Sequence, residues 1–310
     1  MVVVDAFSDD GAWEFFKEHA QGDPRIRVSQ APRQGIYPGI NACLEQARGD
    51  YVYIATSDDT MAPDCLEKMF DALEKHSECD LAHCPLRTID KAGKELDTGW
   101  AQHSLFARSS GRYLNSPHLR KAPFDGLLHL VGESVYISLT QLLIRRSLFE
   151  RVGLFDGRWG SVGDFNWNMR ASLVTDTVHV PETWASWRIH PSQATDQNGA
   201  DKTIHWRKVE EMIDHALGCS KAKMSINLER VLRNGRRSYF AQRRDFETNL
   251  RAHATRLERL KYLVRHLRQG SPYAWHYAGQ RALGKSKWQC PSLITHWLRA
   301  ENPSPCLVHL

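Results

Sequence analysis

The residues best suited to chemistry in this chain are carboxylates placed where a strand stops. "YVYIATSDDT", residues 51–60, is an apolar run that ends on Ser57, Asp58 and Asp59. Two adjacent like charges repel, so open solvent, a basic neighbour or a bound cation must offset the arrangement. A hard divalent cation takes oxygen ligands and keeps positions for phosphate oxygens, which would suit acids at a strand terminus. Asp58 also reads as a cap for a helix starting near Pro63, or as a solvated acid. Asp5 closes a second β-branched run, "MVVVD", where an Asx-turn is the plain alternative to a binding role. Asp164 follows a glycine-containing loop in "GSVGDFNWNMR" and precedes a helical pattern, a position where Asp is a favoured N-cap. His190 follows the strand-like run of "SWRIHPSQAT", beside Trp187 and Arg188.

These residues must be held by the elements around them. "MVVVD" and "SDDGAWEFFKEHA" read as strand then helix, with Trp13, Phe16 and Ala20 on one helical face. "RIRVSQ" is a second strand, and "PGINACLEQARGD" spaces Ile40, Leu44 and Ala47 as a buried stripe that closes on Gly49. "YVYIA" is the third strand. "PDCLEKMFDALEKH" then sets Cys65, Leu66, Met69, Phe70 and Leu73 along one side of a helix, and "DLAHCPL" resumes as strand. Repeated β-α-β with short links predicts an α/β fold with a mostly parallel, Rossmann-like sheet flanked by helices. Ligands of such sheets sit beyond the carboxyl ends of the strands, where Asp5 and the Asp58–Asp59 pair both fall.

The chain has 310 residues, 42% of them hydrophobic, enough for one large core or a domain of about 200 residues with an appendage. No run of about 18 uncharged apolar residues and no secretory leader is evident. The seven cysteines are scattered with no C-x-x-C pair, which argues against a disulfide framework or thiolate zinc site and predicts a cytoplasmic protein. The net charge of +5 hides an asymmetry, because residues 221–300 hold 18 Lys and Arg against four acids. The part before residue 221 is therefore net acidic.

Five segments, "VVVDAFSDDG", "QGIYPGINACLEQARGDYVYIATSDDTMAPDCLEKM", "LIRRSLFERVGLFD", "GDFNWNMR" and "WRIHPSQAT", occur in the order seen in glycosyltransferase family 2. The resemblance is to the inverting enzymes with a GT-A fold and runs over residues 1 to about 197. It implies a GT-A domain over residues 1–200, followed by a basic α-helical region over 201–310. The implied activity moves a sugar from a nucleoside-diphosphate sugar to a glycan or lipid-linked acceptor, as in cell-surface polysaccharide synthesis. The alternative is a non-catalytic nucleotide-sugar- or membrane-binding remnant of the same fold.

The resemblance also implies roles. The end of the third strand resembles the family's D-x-D element, which holds Mg²⁺ or Mn²⁺ against the donor diphosphate. Thr56 stands where the first acid usually lies, Ser57 is the middle residue, and Asp58 is the metal ligand, with Asp59 and His190 as further candidates. Asp5, Ser8, Gly35 and Asn41 match residues that lie near the nucleotide; Ser8 and Asp10 also suit helix capping, while Gly35 and Asn41 read equally as a loop glycine and a polar helix position. Asp164 occupies the place of the general base, and Arg188 is a phosphate contact. Trp167 and Arg170 read as packing and structural charge. The family varies its acceptor contacts over residues 97–140, where Glu133 is a weak candidate.

Two features fall outside the motif set. The segment "INLERVLRNGRRSYFAQRRDFETNLRAHATRLERLKYLVRHLRQG" places Leu250, Leu257, Leu260, Val264 and Leu267 as an apolar seam among arginines. Such a basic amphipathic pattern suits peripheral contact with the inner face of a membrane, or packing on the catalytic domain; specific nucleic-acid binding is not expected, since RNP-type and helix-turn-helix patterns are missing. Family members also begin with a strand that runs into a Pro/Tyr/Asn turn, and this sequence opens at what would be the second strand. A truncated start, a substitute segment or a degenerate binder would each account for that, and the edge beside Asp5 is expected to lack a partner.

Overall fold

A computed structural model describes residues 1–96, 99–130, 134–190, 202–220, 255–269 and 306–310, with positions 250, 252, 253, 274 and 278 besides. Glu133 and most of the 221–300 segment lie outside the described residues. The chain opens with β1 (Val2–Asp5), α1 (Ala12–Gly22) and β2 (Arg27–Gln30), and β1 runs parallel to β2 as a separate two-stranded sheet. Helix α1 turns the expected face inward, yet none of its residues is buried. Helix α2 (Ile36–Gln46) buries Tyr37 and lays Ile40 and Leu44 against the main core.

The central sheet has six strands. From β3 (Tyr51–Tyr53), the chain forms α3 (Cys65–Lys75), β4 (Cys79–His83), β5 (Leu86–Ile89), β6 (Glu95–Leu96), α4 (Trp100–His103), α5 (Leu105–Ser110) and β7 (His118–Arg120). It continues through α6 (Phe124–His129), β8 (Leu142–Arg145), α7 (Ser147–Val152), α8 (Gly163–Ser172), β9 (Asp176–His179), β10 (Ala185–Arg188), α9 (Lys202–Cys219), α10 (Arg256–Arg268) and β11 (Leu307–His309). The strand order is β11-β7-β9-β4-β8-β3.

The α/β class and the flanking helices are as the sequence predicts, but the sheet is more mixed than a repeated β-α-β pattern implies. Parallel pairing holds for β1–β2, β4–β9 and β5–β10. Strand β8 instead runs antiparallel between β3 and β4. A short helical turn over Leu139–Gln141, closed by a capping box between Ser138 and Gln141, leads the chain into it. Within the expected strand "DLAHCPL" the chain leaves the central sheet after His83 and re-forms as β5 in a small sheet with β10 and β6.

Packing corrects two other expectations. On α3 the buried side is Cys65, Met69 and Leu73, while Leu66 and Phe70 are exposed. The division drawn at residue 200 also crosses the core, because Val209, Met212, Ile213, Ala216 and Leu217 of α9 are buried in the main hydrophobic cluster. Asn166 of α8 donates to Met212 O at 3.0 Å, and β11 pairs antiparallel with β7. Both elements are thus built into the α/β body.

Candidate functional site

The loop after β3 is built around an unequal pair of acids. Asp59 turns toward protein: its Oδ1 accepts Arg188 N at 2.8 Å and its Oδ2 accepts Thr56 Oγ1 at 2.6 Å. Burial raises its pKa against the lowering effect of those bonds, and the neighbouring Asp58 charge adds to the rise. Asp58 points the other way, its side chain 41% exposed, with Oδ2 at 3.1 Å from His190 Nε2. One acid thus fastens the loop and the other keeps its charge half-exposed. Asp58 does not cap α3; that helix begins after Asp64, which accepts from Thr183 at 2.8 Å and pairs with Lys68 at 2.7 Å.

Strand β10 secures this loop from its far side. Thr60 N donates to Ser186 Oγ at 2.8 Å, Ser186 N donates to Thr60 O at 2.7 Å, and Met61 bridges Ala185. Arg188 donates through Nε to Asp58 O at 2.7 Å and through Nη1 to Asp90 O at 2.8 Å. Its guanidinium is thereby a strap between two loops, and these donors are directed at carbonyls.

Asp164 sits at the start of α8 in a second local network. Its Oδ1 accepts Phe165 N at 2.8 Å. The Tyr37 phenol, close enough to feel this carboxylate, donates to Ser161 O at 3.2 Å. Burial lifts the Asp164 carboxyl above its ordinary value, while the Phe165 hydrogen bond opposes the rise. Burial and the adjacent carboxylate both raise the Tyr37 phenol, keeping it protonated and a donor. Gly163 makes the approach possible, because a Cβ there would stand 2.6 and 2.8 Å from two Tyr37 ring carbons. We expect Gly163→Ala to cost about 1–3 kcal/mol through overpacking. Gly39→Ala, with nothing within 4 Å of the added carbon, should be neutral or stabilising by contrast, as thermal unfolding of the two variants would show.

Residues 1–153 match the model of the family described as glycosyl transferase family 2. Over these residues the chain is similar to glycosyltransferase family 2. Among curated relatives, the putative glycosyltransferase EpsH of Bacillus subtilis (strain 168) is 30% identical over 199 residues, covering 62% of this chain and 53% of EpsH. The putative teichuronic acid biosynthesis glycosyltransferase TuaG of the same organism is 31% identical over 98 residues, covering 31% of this chain and 38% of TuaG. The chain thus spans about half the length of EpsH and less of TuaG. Among solved structures, S. aureus TarS 1–349 in complex with UDP-GlcNAc aligns with a TM-score of 0.46 at 14% identity, over 78% of this chain and 71% of that one.

The remaining residues that the family 2 resemblance singles out fall into two groups. Ser57 is exposed beside Asp58, and Gly35, with φ 110°, precedes the first residue of α2 in a backbone conformation that favours glycine. Asp5 and Asn41 are consumed by structure. Asp5 is buried, accepts Ser8 N at 3.1 Å and Gln30 Nε2 at 3.1 Å, and is acidified chiefly by the Ser8 side chain. It closes the turn that carries Ser8, as the Asx-turn alternative has it. Asn41 donates to Phe155 O at 2.8 Å and accepts Phe155 N at 3.1 Å, so its amide ties α2 to the segment after α7.

Trp167 is fully buried and donates to Gly153 O at 2.9 Å, and Arg170 binds Val152 O, Leu154 O and Asn166, which gives both packing roles. Among the described residues no group of three or more His, Cys, Asp or Glu is gathered that could hold a metal ion. Of the expected set, Asp58 and His190 stand side by side, while protein donors engage both Asp59 oxygens. A half-exposed carboxylate beside an imidazole fits a hard cation that takes its other ligands from water and phosphate. Sequence reasoning missed Tyr37, and read Thr56 only as the occupant of the first-acid position, not as the anchor of Asp59. No local pattern marks Tyr37, whose site partners lie more than a hundred residues away.

Proposed function

We propose that the chain is an inverting glycosyltransferase acting on a nucleoside-diphosphate sugar, with a glycan or lipid-linked acceptor. Support comes from the similarity to the family, and above all from the strand end where Asp59 is tied back while Asp58 projects against His190. Asp58 and His190 are the residues that would hold Mn²⁺ or Mg²⁺. Such an ion, when bound, supplies Lewis-acid stabilisation of the diphosphate leaving group. The protein's own part is positional. Arg188 and Asp59 hold the loop so that Asp58 faces the donor, and Asp164 receives the acceptor hydroxyl proton as its oxygen attacks the anomeric carbon.

Thermal unfolding with a panel of nucleoside-diphosphate sugars and Mn²⁺ tests the donor half. A sugar nucleotide at about 100 times its Kd should stabilise the protein by about 2.7 kcal/mol, and Asp58→Ala should remove that shift without lowering the unliganded melting temperature. Asp59→Ala should lower the melting temperature itself, since two loop anchors go with it. No shift with any sugar nucleotide would defeat the transferase reading; a shift with no sugar transfer or hydrolysis would leave the non-catalytic binder in its place.

A further inference from the structure

Helix α10 carries a feature that the transferase chemistry does not use. Thr255 and Glu258 form a capping box at its start, and the helix runs for 13 residues, about 20 Å at 1.5 Å per residue. It buries no residue fully. One flank is closed, where Tyr262, Leu263 and Leu267 pack with Leu250 and Ala274. The next face is open: Leu257 is 61% exposed, Leu260 56% and Val264 38%. At intervals of three and four residues these three share one stripe. Leu260 and Val264 line a shallow groove together with Lys261, Arg265, Arg268 and Gln269.

We propose that this face of α10 is a docking surface for an anionic lipid bilayer. An apolar stripe bordered by cations is the pattern of a helix that lies in the membrane interface, with its leucines among the upper acyl segments and its basic heads at the phosphates. Charge complementarity selects the occupant. The segment 221–300 that contains α10 holds 18 Lys and Arg against four acids, so an anionic surface is attracted along its length. A second copy of the chain would bring one row of Lys261, Arg265 and Arg268 against another, which is repulsive. Single-stranded nucleic acid is held by aromatic stacking, and the open stripe is aliphatic, its one tyrosine lying on the closed flank. No helix among the described residues is long and apolar enough to cross a membrane, so the contact proposed is at the surface. It stands independently of the chemistry at Asp58 and Asp164.

Cosedimentation of the full chain with phosphatidylcholine vesicles, with and without about 30 mol% phosphatidylglycerol, tests it. The expected result is binding to the anionic vesicles at least about tenfold tighter than to neutral ones, falling as salt rises from about 0.1 to about 0.5 M. The triple variant Leu257→Ser, Leu260→Ser, Val264→Ser should lose about tenfold or more in anionic-vesicle affinity, and Lys261→Glu with Arg268→Glu should abolish the preference for anionic lipid. These exposed positions lie away from the core, so unchanged melting temperatures should accompany both losses. The proposal is overturned if the chain binds neither vesicle or both equally, or if the serine variant binds as the parent does. It is overturned as well if the parent self-associates in solution and the serine variant does not, or if RNA but not vesicles retains it.

Discussion

Asp164→Asn is expected to lower kcat by about 10³-fold while leaving donor affinity within about twofold, because a positioned general base contributes about 10²–10⁴. The substitution is informative because it spares the local structure. The side-chain oxygen that accepts Phe165 N at 2.8 Å is retained in asparagine, so a role confined to that bond in the first turn of α8 would survive it; the N-cap position itself is Val162. Only the capacity to take a proton is lost. The pH profile carries a second, signed expectation. A base works in its ionised form, so activity falls as pH drops through the pKa of Asp164. Burial lifts that pKa above the ordinary 3.8, which places the acid limb at higher pH than for a solvated aspartate. Asp164→Asn should remove that limb altogether. An asparagine variant with nearly full kcat would refute the base assignment.

Local pattern carried much of the fold. Alternating periodicity in residues 1–83 placed β1, α1, β2, α2, β3, α3 and β4 close to where they lie, because each signal is confined to a few residues. It did not carry strand direction for β8, which depends on a turn at Ser138–Gln141 and on the vacancy between β3 and β4. The strand-end acids show the same limit at the site. Asp58 and Asp59 are chemically alike and adjacent, and the difference between them is imposed by Thr56 and by the Arg188 backbone, 129 residues away in the chain. Asn41 and Asp5 were visible as polar residues near a site, but the partners that absorb them, Phe155 and Gln30, belong to other segments. The stripe on α10 could be read from the sequence because helical spacing alone generates it.

A second large effect is expected on acidification, from histidines buried within the sheet. His118, His179 and His83 stand side by side across β7, β9 and β4 in register, with His129 on α6, and all four are buried. The bonding of His83 and His129 requires neutral rings, since each accepts a hydrogen bond from an N–H donor. Gln141 Oε1 is taken by Ile137 N and Ser138 N, so its Nε2 donates to His83 Nε2 at 3.0 Å. His83 then carries its proton on Nδ1, 3.1 Å from His179 Nδ1, and His179 faces His83 O at 3.2 Å through Nδ1 and donates to Leu114 O at 3.0 Å through Nε2. A second proton on His83 would set its Nε2 against the Gln141 donor. The charged groups nearby are Arg120 and Asp125, locked together at 2.8 Å, with Tyr136 donating to Asp125 at 2.8 Å. Burial pushes the histidines down, His118 to about 4 and His129 and His179 each to about 3, and His83 well below its ordinary value.

Between the ordinary value of 6.5 and those depressed values, the unfolded chain binds more protons than the folded one. Stability is therefore fully present above pH 6.5 and falls as pH drops through the window down to about 3–4. Each such histidine contributes a slope of up to about 1.4 kcal/mol per pH unit, and a domain of ordinary stability has only about 5–15 kcal/mol to lose. Several acting together should unfold the protein cooperatively with a midpoint between about pH 4 and 6. Tryptophan fluorescence and circular dichroism against pH would follow it. His129→Leu should flatten the dependence of unfolding free energy on pH by about one histidine's share, since His129 Nε2 finds no partner among the described residues and its ring is held mainly by Val135 N at 3.2 Å. A chain that stays folded to about pH 3, with the same slope in the variant, would mean that these rings take up protons without leaving the core.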